Sequence, residues 1–320
     1  MNMTILTAAD IAAALPMRTA IEVVRRAFGQ LAAGDVSMPL RSQLPTAGGV
    51  TLVMPAYLRR SRDLGIKIVS VNEGNAARGL PVVSAVVLVV DPETGMPAAL
   101  LEGGCLTALR TGAIGGLAAD LLARPDAACV TLFGAGVQGR SQLAAVCCVR
   151  AVKQVKIVDR SPAAARQLAE EVATWPDAPA VHVIADPQEA IRSADIVIAA
   201  TTSKTPLFDG RELAPGTHVT GIGSFTPEMQ EIDAATVKRA RVVVDQREAC
   251  LAEAGDLIKA GAGIDAEIGE IVNGRQKGRT SATEITFFKS VGVAIQDAAV
   301  AGAILAAARK KDLGTEVSLS

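Results

Sequence analysis

Three places in the chain combine residue types and spacings that could do chemistry. The first is a short apolar run, residues 130–133, that ends in a full G-x-G-x-x-G at Gly134, Gly136 and Gly139, with a helical pattern directly after it. In that setting the motif reads as a dinucleotide-binding turn. Gly134 would allow the tight turn, Gly136 would let the backbone approach a pyrophosphate, and Gly139 would let helix and strand pack closely. The diphosphate would sit on the free N–H groups and positive dipole end of the new helix. A glycine-rich turn without a ligand is the plain alternative. The strand before the motif, the helix after it and a carboxylate further on weigh against that alternative.

That carboxylate is Asp159, at the end of the next strand pattern, where a ribose-binding acid belongs. It would accept both adenosine ribose hydroxyls and repel a 2′-phosphate, which favours NAD(H). Arg160 and Ser161 follow directly and could hold the 2′-phosphate of NADP(H) if Asp159 turned aside. Asp159 and Ser161 could also serve as helix caps. The third place is a pair of cations in apolar settings. Lys67 lies inside the run Gly65-Ile66-Lys67-Ile68-Val69, and Arg110 lies among small and apolar residues. Buried charges need partners, and the arginine fork suits a carboxylate or phosphate. A solvent-facing lysine on an edge strand and a surface arginine are the competing readings.

Composition narrows the partners. The chain has 320 residues, half of them hydrophobic but only 2% aromatic, so its core must be aliphatic. Lys+Arg number 32 against 33 Asp+Glu. That balance argues against nucleic acid or an anionic membrane as the main partner. Five cysteines without a C-x-x-C pair fit buried thiols in a reducing compartment, rather than disulfides or a metal site. No signal-peptide pattern opens the chain, and the longest apolar run, 82–90, is too short to span a bilayer. A cytoplasmic location is the expectation.

The elements that must position these residues fall into two patterns. Residues 7–34 read as one helix, with Ile21, Val24, Phe28 and Leu31 at helical spacing. Residues 51–54, 65–71, 82–90 and 96–102 read as strands of an antiparallel α+β unit, the last two joined by a turn at 91–95. Residues 106–123 read as a helix. After Pro125, strands at 129–133, 155–159, 181–185 and 195–201 alternate with helices at 139–151, 162–174 and 187–193. Further strands follow at 218–223 and 241–245. Strands separated by helices imply a parallel, doubly covered sheet of Rossmann type. His182 and His218 fall in strands and read as structural. From 253 the chain reads as helical again, with a short strand and turn at 283–292 and an Ala-rich helix at 295–310 that packs back on the first domain. The fold class is therefore α/β: a Rossmann domain, expected at 113–292, and a mixed α+β domain formed by 1–112 with 293–320.

Together these residues resemble the ornithine cyclodeaminase/μ-crystallin family. The resemblance is carried by Met54-Pro55-Ala56-Tyr57, Gly65-Ile66-Lys67, Gly79-Leu80-Pro81, Leu106-Thr107-Ala108-Leu109-Arg110-Thr111-Gly112-Ala113, Gly134-Ala135-Gly136-Val137-Gln138 and Ser290-Val291-Gly292-Val293-Ala294-Ile295-Gln296-Asp297. It implies a homodimer joined through the mixed domain, and a pocket for a small imino or amino acid between the two domains. It implies that Arg41, Lys67 and Arg110 bind the substrate carboxylate. It also implies that Thr111, Val137, Gln138, Thr201, Thr202, Val291 and Gly292 line the site of NAD(H) or NADP(H). Asp297 is a further candidate acid, or the residue that orients Lys67.

The family contains several reactions. Ornithine cyclodeaminases place an aspartate base two residues after a glycine behind the fifth Rossmann strand. The matching stretch is Gly223-Ser224-Phe225-Thr226-Pro227-Glu228, with Phe225 at the base position. Phenylalanine cannot take a proton, and the Gly-Ser-Phe-Thr-Pro form resembles members that reduce Δ1-pyrroline-2-carboxylate and Δ1-piperideine-2-carboxylate. The expected activity is therefore imine reduction to L-proline or L-pipecolate. The proton could come from solvent, or from Lys67 if burial and neighbouring cations lower its pKa. An alanine dehydrogenase-like reaction, ornithine cyclisation and a non-catalytic nucleotide-binding protein are the alternatives.

Overall fold

The computed structural model describes residues 2–318. Residues 1, 319 and 320, which the expected domain bounds include, lie outside the described residues. The chain forms two compact units, Met1–Arg110 with Val293–Ser320, and Thr111–Gly292.

The first unit is built on one sheet. Its strands are β1 (Asn2–Leu6), β2 (Val36–Ser37), β3 (Ser42–Thr46), β4 (Gly49–Leu58), β5 (Asp63–Val71), β6 (Val83–Val90) and β7 (Pro97–Glu102), with a C-terminal strand Thr315–Ser318. The order runs from the C-terminal strand through β1, β7, β6, β5 and β4 to β2, and β3 also pairs with β4. All pairings are antiparallel except β1 with β7. The two outer strands β1 and Thr315–Ser318 escape the sequence patterns, being short and at the ends of the chain. The segment read as one helix is two, α1 (Ala8–Ala14) and α2 (Met17–Ala32). Leu15 and Pro16 are extended between them. A proline lacks the N–H that would continue α1 and instead pre-sets the first turn of α2.

The C-terminal helix Ala294–Lys310 packs on β4, β5 and β6 and on α1 and α2. Its approach to β5 is close: a Cβ added to Gly65 would lie 2.9 Å from the Ala298 Cα. Strand alternation does the rest. Gly65, Lys67 and Val69 are buried, while Ile66, Ile68 and Ser70 are more open to solvent. β5 is paired on both sides, by β4 and β6. Lys67 is therefore on the inward face of an interior strand, and the edge-strand reading is set aside.

The second unit is a parallel sheet with strands β8 (Cys129–Phe133), β9 (Gln154–Val158), β10 (Ala180–Val183), β11 (Ile196–Ala199), β12 (His218–Gly221), β13 (Ala240–Val244), β14 (Ala266–Glu267) and β15 (Ile285–Lys289). Its order is β10-β9-β8-β11-β12-β15-β13-β14, with every pairing parallel. This is a Rossmann arrangement, and the chain reverses direction across the sheet between β8 and β11. Two apolar clusters form its core: an aliphatic one centred on Leu132, Val155 and Ile198, and one on Val219 and Val244 that, against the expectation of a purely aliphatic core, also takes in Phe133, Phe208 and Phe287. The tail beyond 253 is less helical than its sequence suggests. β15 enters the sheet between β12 and β13 rather than standing as an isolated strand. Its five residues, Ile-Thr-Phe-Phe-Lys, are all buried, because a strand inside a parallel sheet is covered on both faces.

The helix α3 (Gly103–Leu122) is long and apolar enough to cross a membrane, and most of it is buried as a core helix. The residue at which the two units divide falls within it.

Candidate active site

In the first unit the chemistry gathers on Asp297. This residue sits in the first turn of the helix Ala294–Lys310 and is 1% exposed. Its Oδ1 accepts from Lys67 Nζ at 3.3 Å and from Arg110 Nε at 3.1 Å. Arg110 also donates through Nη1 to Gln296 Oε1 at 3.1 Å, and the same amide oxygen caps its helix by accepting from Val293 N at 3.0 Å. Lys67 is 3% exposed and Arg110 is buried. One carboxylate thus serves two cations and leaves an excess positive charge in a buried site. Asp297 Oδ2 is buried and has no hydrogen-bond partner among the described residues.

Burial is the main influence on Lys67, because it penalises the charged form. It pulls the ammonium down to about 8; Asp297 opposes the shift, and the charges of Arg110 and Arg41 add to it. Arg41, half-buried just before β3, is therefore within electrostatic reach of Lys67. Of the three cations singled out for a carboxylate, Lys67 and Arg110 meet on Asp297, and Arg41 acts through its field.

In the second unit the three glycines have three different surroundings. Gly134 has φ +95°, a left-handed conformation that favours glycine, and its N–H donates to Val158 O at 3.0 Å. A Cβ at Gly139 would overlap the Gly134 carbonyl oxygen, so helix and turn can meet only through glycine. A Cβ at Gly136 would meet nothing within 4 Å. That open space lies at the start of α4 (Val137–Val149), whose N-cap Gly136 offers no side chain to the first N–H groups. The start of α4 thus presents the donors and the room that a diphosphate needs. Val137 beside it is exposed, and the Gln138 Oε1 is buried without a hydrogen-bond partner.

Asp159 follows β9. Its Oδ2 accepts from Ala135 N and its Oδ1 from Ser161 N, both at 2.7 Å. It ties the glycine turn to the start of α5 (Pro162–Val172), where Ser161 rather than Asp159 is the cap, accepting from Ala164 N at 3.3 Å. A carboxylate has about four lone-pair sites, so two remain for ribose hydroxyls. Arg160 is exposed next to it.

The other expected cofactor residues are held by buried side chains that the sequence did not single out. Thr111 offers its carbonyl to Gln142 Nε2 at 2.5 Å. Thr201 donates through N and Oγ to Glu231 Oε1, and the Thr201 methyl lies 3.1 Å from where a Gly134 Cβ would be. Thr202 is exposed. Val291 and Gly292 donate their N–H groups to Asp245 Oδ2, as does the Ser290 hydroxyl. Asp245 had one sequence signal, a carboxylate directly after the apolar run of β13. Glu231 and Gln142 had none, since their partners are distant in the chain. Phe225 is 46% exposed behind β12.

Histidine takes no part in this cluster. His218 is fully buried in β12 between Thr286 Oγ and Thr220 Oγ, and burial pushes its pKa down to about 3. His182 lies on β10 but is exposed, so the reading of a satisfied interior histidine holds for His218 alone. The five cysteines are free thiols, and no described group of His, Cys, Asp and Glu has the grouping of a metal site.

The family model for the ornithine cyclodeaminase/mu-crystallin family matches residues 1–312. The chain belongs to this family. Among curated relatives, the Delta(1)-pyrroline-2-carboxylate reductase of Bacillus cereus is 37% identical over 311 residues, covering 94% of this chain and 95% of the relative. The family fold extends to solved structures. The Delta(1)-pyrroline-2-carboxylate reductase of Thermococcus litoralis, in complex with NADH and L-proline, superposes with TM-score 0.94 at 39% identity, covering 98% of this chain and all (100%) of that one. An archaeal alanine dehydrogenase dimer with bound NAD superposes with TM-score 0.94 at 33% identity, over 100% of both chains.

Proposed function

We propose that this chain reduces a cyclic imino acid, Δ1-pyrroline-2-carboxylate or Δ1-piperideine-2-carboxylate, to L-proline or L-pipecolate, using NADH or NADPH. The observation that carries the proposal is the buried Lys67–Asp297–Arg110 cluster with its excess positive charge. A small anionic acid would neutralise that charge, with Arg41, Lys67 and Arg110 holding the carboxylate. The likeness to a reductase bound to NADH and L-proline supports the same substrate class.

The dinucleotide, when bound, supplies the hydride for the imine carbon. Its diphosphate is assigned to Gly134, Gly136, Val137 and Gln138, and its adenosine ribose to Asp159 with Arg160 and Ser161. Thr111, Thr201, Thr202, Val291 and Gly292 are assigned to the rest of its site. The proton on the imine nitrogen comes from the Lys67 ammonium, which solvent then restores; with its pKa lowered to about 8, Lys67 suits that task better than an ordinary lysine. Asp297 holds Lys67 and Arg110 in place. Orientation of a substrate that is already electrophilic supplies much of the acceleration. No water has to be activated and no ammonia expelled, which fits a phenylalanine at position 225 and counts against ornithine cyclisation.

Residues 1–112 with 293–320 take the substrate-binding and dimerisation role, and 113–292 the dinucleotide-binding role. A homodimer is supported by the outer face of the first unit's sheet, where the cross-strand pair Ile68 and Val86 is 43% and 39% exposed. The chain is assigned to the cytoplasm on its free thiols.

The test compares NADH and NADPH oxidation with each cyclic imine and with pyruvate plus ammonia. The proposal expects the imines to be reduced faster. Faster turnover of pyruvate with ammonia would move the chain to the second reading, an alanine dehydrogenase, which the likeness to the archaeal enzyme favours. Arg110→Ala is expected to keep nucleotide binding and lose imine turnover by about 100-fold or more, as for a buried charge-assisted contact worth about 3 kcal/mol. Normal turnover in that variant would sink the carboxylate clamp.

A further inference from the structure

The second unit holds a buried charged network that the proposed reaction does not use. Glu231 is fully buried, and its carboxylate accepts four hydrogen bonds. Oε1 takes Thr201 N at 2.5 Å and Thr201 Oγ at 2.8 Å. Oε2 takes Gly223 N at 2.6 Å and Ser224 N at 3.1 Å. The backbone N–H of Glu231 is held in turn by Asp256 Oδ1 at 2.7 Å, and Asp256 Oδ2 pairs with the fully buried Lys289 Nζ at 3.2 Å. A Cβ at Gly223 would overlap both the Thr201 carbonyl and the Glu231 carboxyl, so the two turns meet only through glycine.

Thr201 follows β11 and Gly223 follows β12, and these strands are parallel neighbours. Both turns therefore lie beyond the carboxyl ends of adjacent strands, the side of such a sheet on which ligands bind. We propose that Glu231 is a positioning residue whose carboxylate clips the Thr201 turn to the Gly223–Ser224 turn and so fixes the rim against which the dinucleotide binds. The inference rests on the proposed function in one respect, the assignment of Thr201 to the cofactor site.

The donors also fix the chemistry of the clip. Three of the four donors are backbone N–H groups that cannot accept, and only the Thr201 hydroxyl can reverse its role, so the set favours the carboxylate form of Glu231. Burial raises its pKa, while the Lys289 charge and the Thr201 donors oppose that rise. A glutamine has the same shape but carries an NH2 in place of one oxygen. Turned toward Gly223 and Ser224, it faces two N–H groups. Turned toward Thr201, it faces one, since only the hydroxyl can reverse its role. One turn must let go in either orientation.

The experiment measures NADH affinity by fluorescence for wild type, Glu231→Gln and Glu231→Asp, with thermal unfolding, backbone amide exchange at Gly223 and Ser224, and steady-state kinetics. The expected result is a folded Gln variant with faster exchange at one of the two turns. Its NADH Kd and its KM for NADH rise about ten-fold, the equivalent of one charge-assisted hydrogen bond. Its kcat at saturating NADH stays within about two-fold, a split that a general loss of fold would not give. Glu231→Asp keeps the charge but withdraws it by one methylene, and it carries the same expectation where the Gln variant does not fold. Wild-type NADH affinity in a folded Gln or Asp variant overturns the proposal. Failure of both variants to fold also overturns it, by assigning Glu231 to the folding core. A wild-type protein that binds NADH but reduces no imine sinks the proposed reaction and leaves this inference standing. A wild type that binds no nicotinamide nucleotide overturns both.

Discussion

Replacing Lys67 by methionine is expected to make the protein more stable and nearly inactive. Methionine is unbranched and similar in length, so it fills the same space on the inward face of β5 without the charge. Burial lowers the Lys67 pKa from 10.5 to about 8, even with Asp297 opposing the change. The folded protein thus binds this proton less tightly than the unfolded chain does. Each unit of difference is about 1.4 kcal/mol, so holding the charge costs the folded state about 3 kcal/mol at pH 7. Between pH 8 and 10.5 the unfolded chain carries more protons, and stability contributed by this residue rises with pH across that window. Above the upper value the cost is gone.

Lys67→Met should therefore unfold about 3 kcal/mol less readily than wild type at pH 7, and the gap should close as the pH approaches the ordinary lysine value. Asp297 keeps Arg110 as a partner, so no carboxylate is stranded. Turnover of the cyclic imine should fall by roughly 10²-fold or more, the usual contribution of a positioned proton donor. Urea unfolding at pH 7 and 10, followed with NADH-oxidation assays, reads both quantities. A variant less stable than wild type at pH 7, or a gap that does not shrink with pH, would refute the account of Lys67 as a charge held at a cost for function.

Other outcomes separate the roles of individual residues. Gly136→Val should leave the melting temperature unchanged, since nothing lies within 4 Å of its Cβ position, while NADH affinity falls by more than about ten-fold as the side chain fills the diphosphate space. Gly139→Ala, with the Gly134 carbonyl in its way, should lower both the melting temperature and the affinity. Because His218 is held neutral with a pKa of about 3 against the ordinary 6.5, stability should fall as the pH drops below that upper value. The slope is at most about 1.4 kcal/mol per pH unit, and urea midpoints of His218→Gln should show a flatter acid limb. The double variant Ile68→Glu/Val86→Glu should run as a monomer in light scattering if the outer sheet face joins two copies, and a dimer of unchanged mass would exclude that face.

What the sequence made legible was local. The strand–glycine–helix order at 130–149 is a contiguous pattern, and each glycine shows the stereochemical need assigned to it: the positive φ of Gly134, the open side of Gly136 and the tight contact of Gly139. Lys67 was conspicuous because a charge interrupted an apolar run, but its inward position was not legible there: Ile66 and Ile68 flank it on the more open face, and the pairing of β5 on both sides decides it. The helix break at Pro16 was also readable from its residue type, yet the apolar stripe of α2 hid it by continuing the same spacing into α1. β15 could not be placed, because its neighbours β12 and β13 are chosen by the crossover order of the sheet and not by the five residues themselves.

The same limit explains the missed carboxylates. Glu231 reaches Thr201 across 30 residues, and Asp245 reaches Gly292 across 47. Asp297 reaches Lys67 across 230. A carboxylate that accepts from a backbone N–H far away leaves no spacing rule in the chain, because any residue can supply that donor. Asp297 was visible only through the resemblance, and its two possible roles stood open until Lys67 and Arg110 were found on the same oxygen. That shared oxygen favours the orienting role: an Asp297 protonated in readiness to act as an acid would be neutral and leave two buried cations facing each other. Asp297→Asn should therefore raise the KM for the imine as well as lower kcat, because Lys67 and Arg110 are weakened together, whereas loss of a simple proton donor would lower kcat and remove one limb of its pH profile without raising KM.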